Sequence, residues 1–363
     1  MEKKLLLFLS LLLLASFSCE NLYQSKTEKK KEEKKETPAI IEIQNRFASI
    51  IEKASPSIVT VFTYAEGMDK TPIAYNITDE EPFSESESLG SGFVYKEDND
   101  FLYILTNSHV IEKSKNIVVK FFNGTEKKGK IAGIDTKSDL AVLKVKKDKK
   151  IEDIDPLPIG TAKSLRVGYF VIAGGSPYNL GHTFTLGIVS ALHRNLGIST
   201  YENYIQTDAA INPGDSGGPL LDIYGNVVGV NTAIIQSGQG LGFAIPIDDA
   251  ISVANELVKY GKVKRGWLGV IVQNITKKIK KRFNIEEGAY IVKVVEDSPA
   301  FALGLKKGDI IIEINTVKVK NAQQLKYILS KMKPGEEIVI KIYRKGKVIT
   351  LSTKLGEMLD KGI

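Results

Sequence analysis

The spacing of hydrophobic positions changes several times along this chain, and each change marks a boundary. Residues 5–14 form an apolar run, interrupted only by Ser10, behind Lys3 and Lys4 and followed by small residues. That is the layout of a secretory signal over residues 1–18, with a run too short to span a bilayer comfortably. Residues 19–38 contain Lys26-Thr27-Glu28-Lys29-Lys30-Lys31-Glu32-Glu33-Lys34-Lys35-Glu36. The charged run has nothing apolar to bury, and the stretch reads as a solvated tether. From Ala39 onward, Ile40, Ile43, Phe47, Ile50 and Ile51 recur at three- and four-residue steps. An amphipathic helix is expected there, ending near Pro56.

From Ser57 the period shortens. Strands are expected over 57–62, 90–95, 101–106, 116–122, 127–134, 139–145, 168–173, 187–192, 203–207, 226–232 and 242–246. The fourth and fifth would pair around Asn123-Gly124. Many short strands punctuated by Gly, Pro and Asn indicate a β-sandwich or barrel. The polar stretch 64–88, with Pro72 and Pro82, is long for a connection, which marks it as functional or mobile. A helix over 248–260 closes this first unit, 39–260. A polar join at 261–264 opens the second, 261–363. Its pattern predicts strands near 267–273, 288–295, 309–314 and 336–344, and a helix over 321–332. The fold class is mainly β, with a smaller α+β unit at the end.

Composition removes several functions. The only cysteine is Cys19, so no intramolecular disulfide can form. The histidines are His109, His182 and His193, and no two have the spacing of a helix-borne metal pair. No metal or cofactor is expected. A G-x-x-x-x-G-K-[ST] loop is absent from the sequence, so no nucleotide-driven step is expected either. Lys and Arg number 50 against 43 Asp and Glu, for a net charge of +7. Lys and Glu are interspersed along the chain, which reads as surface solubility. A nucleic-acid partner would call for a clustered basic stripe interleaved with aromatics, and none is visible in the linear sequence.

The candidate chemistry centres on Asn212-Pro213-Gly214-Asp215-Ser216-Gly217-Gly218-Pro219-Leu220. Glycines on both sides of a serine permit a tight, irregular loop that can turn several N–H groups toward one point. A nucleophilic serine needs such donors, because attack on a carbonyl creates an oxyanion. Turn chemistry alone would also explain the glycines, so the rest of the chain must decide. A base and an orienting acid are required, and the chain offers His109 and then Asp139 before Ser216. Each lies at a strand edge or in a loop.

Those residues are recognisable. Thr106-Asn107-Ser108-His109-Val110, Ser138-Asp139-Leu140-Ala141-Val142-Leu143-Lys144 and Gly214-Asp215-Ser216-Gly217-Gly218-Pro219 together resemble the HtrA/Deg family of exported serine proteases. Gln206-Thr207-Asp208-Ala209-Ala210-Ile211-Asn212 and Gly240-Leu241-Gly242-Phe243-Ala244-Ile245-Pro246 extend the match. The resemblance implies a chymotrypsin-like domain of two six-stranded β-barrels. It implies Ser216 as nucleophile, His109 as general base and Asp139 as orienting acid, with the N–H groups of Gly214 and Ser216 as the oxyanion hole. Ile211 and Ile234 match positions lining the family's primary pocket, which implies cleavage after small or branched apolar residues. Asp215 departs from the family, which usually carries Asn there. It is expected to accept backbone N–H bonds or pair with a cation. Asp135 and Asp208 read as structural, and His182 and His193 as surface-loop residues.

The second unit resembles a PDZ domain through Arg265-Gly266-Trp267-Leu268-Gly269-Val270, Asp297-Ser298-Pro299-Ala300 and Gly304-Leu305-Lys306-Lys307-Gly308-Asp309. Trp267, Leu268, Gly269 and Val270 match the loop that binds a peptide's C-terminal carboxylate. A single such domain is expected. The leader resembles a bacterial lipoprotein signal with Cys19 as the lipidated residue, although Ser16 and Phe17 depart from that pattern. Ordinary cleavage and an uncleaved anchor stay open, and all three readings imply export to the periplasm or cell envelope. The implied protein is an ATP-independent endopeptidase acting on misfolded or exposed segments. It would be a homotrimer tethered to a membrane through Cys19. Two other readings stay open: a chaperone or peptide-binding scaffold with little proteolysis, and a signalling protease with one substrate.

Overall fold

The computed structural model describes residues 38–64, 88–112, 114, 116–177, 181–234 and 240–357. The expected export signal, Cys19, the tether before Pro38 and nearly all of the 64–88 connection lie outside the described residues. So do the side chain of Ile234 and residues 358–363. The chain divides into a short unit ending at Ala48 and a large one, Ser49–Ile363. Helix α1 (Pro38–Ala54) begins in the first. A 3-10 turn, Ser55–Ser57, with Pro56 inside it, ends the helical run.

Two closed barrels follow. The first comprises β1 (Ile58–Tyr64), β2 (Ser88–Glu97), β3 (Phe101–Thr106), β4 (Asn116–Phe121), β5 (Glu126–Asp135) and β6 (Leu140–Lys146), in the order β1-β2-β3-β6-β5-β4. Alternation fills its interior with Val59, Leu102, Ile104, Phe121 and Leu143, all buried. Helix α2 (Ser108–Ile111) is the single turn after β3. The second barrel comprises β7 (Phe170–Gly175), β8 (Thr183–Arg194), β9 (Tyr204–Thr207), β10 (Pro219–Leu221), β11 (Val227–Ile234) and β12 (Gly242–Pro246). Its order is β10-β11-β12-β9-β8-β7. Closure leaves no free edge in either barrel. Helix α3 (Ile247–Tyr260) buries Ile247, Ala250, Val253, Ala254 and Leu257 against strands of both barrels. It stops at Gly261, which adopts a left-handed cap at φ 72°.

The last part of the unit carries β13 (Gly266–Trp267), β14 (Val270–Asn274), α4 (Lys277–Phe283), β15 (Ala289–Val294), α5 (Pro299–Ala302), β16 (Ile310–Ile314), β17 (Val317–Lys318), α6 (Ala322–Ser330), β18 (Glu337–Arg344), β19 (Lys347–Lys354) and β20 (Gly356–Glu357). The main sheet runs β14-β15-β16-β18-β19, so β14 is an edge strand, and α6 packs against it. Leu268, Ile291, Ile311, Leu325 and Ile340 lie in its core.

Several sequence expectations shift. Asp139 does not begin a strand. It precedes β6 in a left-handed turn, at φ 55°. Leu220 pairs with Gly229, so the end of the glycine-rich stretch is a short strand, β10. His193 lies within β8, at a ladder irregularity where φ is 59°. His182 is half-buried, with its ring against Phe122. Helix α4 has no fully buried residue and hence no apolar stripe to announce it.

Candidate active site

The two barrels meet at the candidate chemistry. Barrel one supplies His109, on the turn of helix after β3, and Asp139, just before β6. Barrel two supplies Ser216, in the loop before β10, and Thr232, on β11. Several hydrogen bonds tie the barrels at this point. Ser91 N–H donates to the Ser216 carbonyl at 2.8 Å, and Ser91 Oγ donates to the Gly214 carbonyl at 2.6 Å. Thr60 Oγ1 donates to Ser176 Oγ at 2.8 Å.

The His109–Asp139 side is heavily bonded. His109 Nδ1 lies 2.9 Å from both Asp139 oxygens. Asp139 Oδ1 also accepts from the His109 N–H at 3.1 Å and from Ser108 Oγ at 3.0 Å. Oδ2 accepts from Thr232 Oγ1 at 2.6 Å, and Asn107 Nδ2 donates to the Asp139 carbonyl at 2.8 Å. Burial raises the carboxyl's pKa. The bonds and charge of His109, with the Thr232 bond, outweigh that and leave it below its ordinary value. The carboxylate therefore stays ionised and fixes the imidazole with Nδ1–H inward, leaving Nε2 as the acceptor.

The serine side is differently built. Gly217 has φ 90°, and a Cβ there would fall 2.1 Å from the Ser91 carbonyl. A Cβ on Gly218 would fall 2.1 Å from the Gly174 carbonyl. Only glycine lets the loop press this closely on its neighbours. The Asp215 carbonyl accepts the Gly218 N–H at 2.9 Å, so the trans peptide turns the Ser216 N–H the opposite way. Among the described residues, neither the Gly214 nor the Ser216 N–H has an acceptor. Unpaired donors in such a loop are costly unless water or a ligand's acceptor reaches them. Ser216 Oγ donates to the Thr232 carbonyl at 3.3 Å rather than to His109.

Asp215 is buried at 5% exposure. Oδ2 accepts the Asn212 N–H at 2.8 Å, while Oδ1 has no partner. Burial pushes its pKa up to about 6, opposed by the single bond from Asn212. The expected backbone N–H bond is thus present, and no cation is seen beside it among the described residues. Ile211 is buried in the core of barrel two, and a Cβ on Gly242 would fall 2.9 Å from its Cδ1.

These features match known proteins along most of the chain. A family model for a trypsin-like peptidase domain matches residues 90–230, and one for a PDZ domain matches 266–355. A DegP-like periplasmic serine endoprotease of Pseudomonas putida (strain W619) is 38% identical over 343 residues, covering 86% of this chain and 70% of that protein. One from Hahella chejuensis is 38% identical over 335 residues, again covering 86% and 70%. The chain belongs to the HtrA/DegP family of periplasmic serine endoproteases. Among solved structures, the HtrA-type protease AlgW with a tripeptide superposes with a TM-score of 0.72 at 34% identity, covering 86% of this chain and 97% of that one. A serine endoprotease from Yersinia pestis gives 0.64 at 31%, covering 86% and 98%.

In this HtrA-type chain the PDZ loop is held by its carbonyls. Leu268 O accepts from Ala300 N–H at 2.8 Å, and Gly269 O accepts from Val295 N–H at 2.9 Å. The N–H groups of Gly269 and Val270 must then point the other way, toward one side of the loop. Leu268 is buried, Trp267 and Val270 are half-buried, and Gly269 has φ 86°. Just before this loop, Arg265 forms a bidentate pair with Asp135, at 2.8 and 2.5 Å, with both residues buried. Asp135 is thus the buried end of β5 rather than part of a turn. It also accepts from Ser138, the neighbour of Asp139. Tyr327, on α6, donates to Asp249 at 2.8 Å and accepts from Asn203 at 3.0 Å. Sequence reasoning missed Thr232, Ser91 and Arg265 as parts of the site's support. Of these, only Ser91 had a local cue, its Gly90-Ser91-Gly92 setting.

Proposed function

We propose that Ser216 is the nucleophile of an ATP-independent endopeptidase, with His109 as general base and Asp139 as the acid that orients it. The observation that carries this is the fixed His109–Asp139 pair facing a serine loop with two unpaired N–H groups. In the reaction, Ser216 Oγ attacks the substrate carbonyl carbon as its proton passes to His109 Nε2. The negative oxygen is received by the Gly214 and Ser216 N–H groups. His109 returns the proton to the departing amine, leaving an acyl-enzyme. Water, deprotonated by His109, then releases the new carboxylate and restores Ser216. Ile211 and Ile234 would favour small or branched apolar residues before the cut bond, and a peptide-library profile preferring Lys or Arg would contradict that.

The Gly269 and Val270 N–H groups would hold a peptide's C-terminal carboxylate, with the peptide added as a strand beside β14 against α6. Misfolded or exposed segments of envelope proteins are the proposed substrates. Homotrimer assembly and lipidation at Cys19 belong to the same proposal. A second reading is favoured by one contact: Ser216 Oγ rests on the Thr232 carbonyl. A protease resting this way would wait for a peptide at its PDZ loop, as a dedicated signalling protease does. Casein cleavage by the wild type and Ser216→Ala, with and without a C-terminal peptide, tests both. Cleavage by wild type alone supports the nucleophile, and a peptide requirement supports the second reading. If neither protein cuts under any condition, the endopeptidase assignment fails.

A further inference from the structure

Lysines that look dispersed along the sequence are gathered by the first barrel. Register aligns Lys96 with Tyr103, Tyr103 with Lys144, and Lys144 with Lys130, so one row crosses β2, β3, β6 and β5. Lys146 stands opposite Phe101 in the next row, and Lys128 lies two residues before Lys130 on the same face. Their strand neighbours Leu102, Ile104, Leu143 and Val145 fill the core, so this row faces out. Lys144 Nζ sits 5.4 Å from the Phe101 ring centre, and Lys96 Nζ sits 5.7 Å from that of Tyr103.

Among the described residues, Asp100 beside Phe101 and Glu126, two residues before Lys128 on β5, have no ion pair, while the other nearby acids are engaged elsewhere. Asp148 pairs with Lys127, and Glu97 pairs with Lys147. Asp98 accepts from Tyr103 OH and from the N–H groups of Asp100 and Phe101. Among the described residues, Lys128, Lys130, Lys144 and Lys146 have no ion pair, and Lys130 faces Lys144 directly. Like charges opposite one another weaken a sheet. An external anion would relieve that repulsion.

The face is also well placed. His109 and Asp139 sit at one end of β3 and β6, whereas Phe101 and Lys146 sit at the other. At about 3.3 Å per residue, Lys144 and Lys146 lie about 16 and 23 Å along the strand from Asp139. A partner here would leave the cleft open. A basic, aromatic-studded sheet face could take nucleic acid, but the periplasm of this family's members is bounded by two membranes. We infer that this β5-β6-β3-β2 face docks the protease on anionic lipid headgroups of a bilayer, with Lys128, Lys130, Lys144 and Lys146 as the main contacts. Lysine heads reach the phosphates while the rings of Phe101 and Tyr103 settle at the interface.

The test is amine-reactive footprinting of the full chain on phosphatidylcholine vesicles, with and without phosphatidylglycerol. Any anchoring through the leader contributes to both vesicle types. The four lysines should be labelled at least about fivefold less on the anionic vesicles, and high salt should restore labelling. Lys306 and Lys307 of the PDZ region should not change. Replacing the four lysines by Gln should weaken the preference for anionic vesicles by about fivefold per residue, with casein cleavage unaltered as the check on folding. Equal labelling on the two vesicle types would overturn the inference. So would protection by duplex DNA or polyglutamate without any by vesicles, which would assign the face to a soluble polyanion.

Discussion

The two halves of the proposed catalytic cleft differ in how completely they are bonded. On the barrel-one side, Asp139 is bonded by His109, Ser108, Asn107 and Thr232, and the bare buried atom there is Asn107 Oδ1, one residue removed from the carboxylate's own contacts. On the barrel-two side, Ser216 rests on a carbonyl, two N–H groups lack acceptors, and Asp215 holds a buried oxygen with no partner. A saturated network is rigid, and an unsaturated one can be reset by a small shift. In the proposed mechanism the His109–Asp139 pair is therefore the fixed part and the serine loop the adjustable part. Arg265 connects the PDZ region to Asp135 of barrel one, and Tyr327 connects it to Asn203, just before β9 of barrel two.

The largest effects should come from the reacting groups. Ser216→Ala and His109→Ala should each lower kcat for casein by roughly 10⁴–10⁶-fold, and the double variant should be no worse than either alone. Additive losses would break the unit. Next, Arg265→Ala strands the Asp135 carboxylate in a buried seam. Removing one partner of a buried pair costs about 3–5 kcal/mol, read as a drop in denaturation midpoint in the Ser216→Ala background. A fall below 1 kcal/mol would mean that the seam is not closed in solution.

Asp215 sharpens the comparison through pH. Its folded-state pKa of about 6 lies above the 3.8 of a free carboxyl, so the folded chain binds that proton more tightly. The associated stability is complete below pH 3.8 and is lost as pH rises through about 6. The wild type should lose about 3 kcal/mol across that window relative to Asp215→Asn, whose amide stays neutral. Denaturant titrations at acid and neutral pH would show this, and parallel curves for the two proteins would mean the carboxylate is compensated. The smallest effect belongs to Tyr327→Phe. It removes one bridge between α6 and Asp249 and should cost about 1 kcal/mol, with a larger change in peptide-stimulated than in basal cleavage.

Much of this was legible in the sequence because His109, Asp139 and Ser216 each sit inside a short block whose neighbours shape the local backbone. The barrel strands were legible for a similar reason, since alternation is a local property. What escaped depends on distant pairing. Thr232 lies at the end of a segment read only as a strand, yet its hydroxyl bonds Asp139 and its carbonyl holds Ser216. The role of Arg265 depends on Asp135, far away in sequence and near in the fold. Asp215 stood out as unlike the family, but its bare oxygen follows from the close approach of Gly175, where a Cβ would fall 2.3 Å from Oδ1. The basic face escaped for the same reason, because Lys130 and Lys144 meet only through strand register.

The contrast between a fixed acid–base pair and an adjustable serine loop can be measured directly at Ser216. The rate of its phosphonylation by a fluorophosphonate should be followed with and without a peptide that occupies the Gly269–Val270 loop. The peptide should speed labelling of the wild type several-fold or more, with none in Ser216→Ala. Labelling at one and the same rate with and without a saturating peptide would contradict the account, because the serine loop would then be as fixed as the pair it faces.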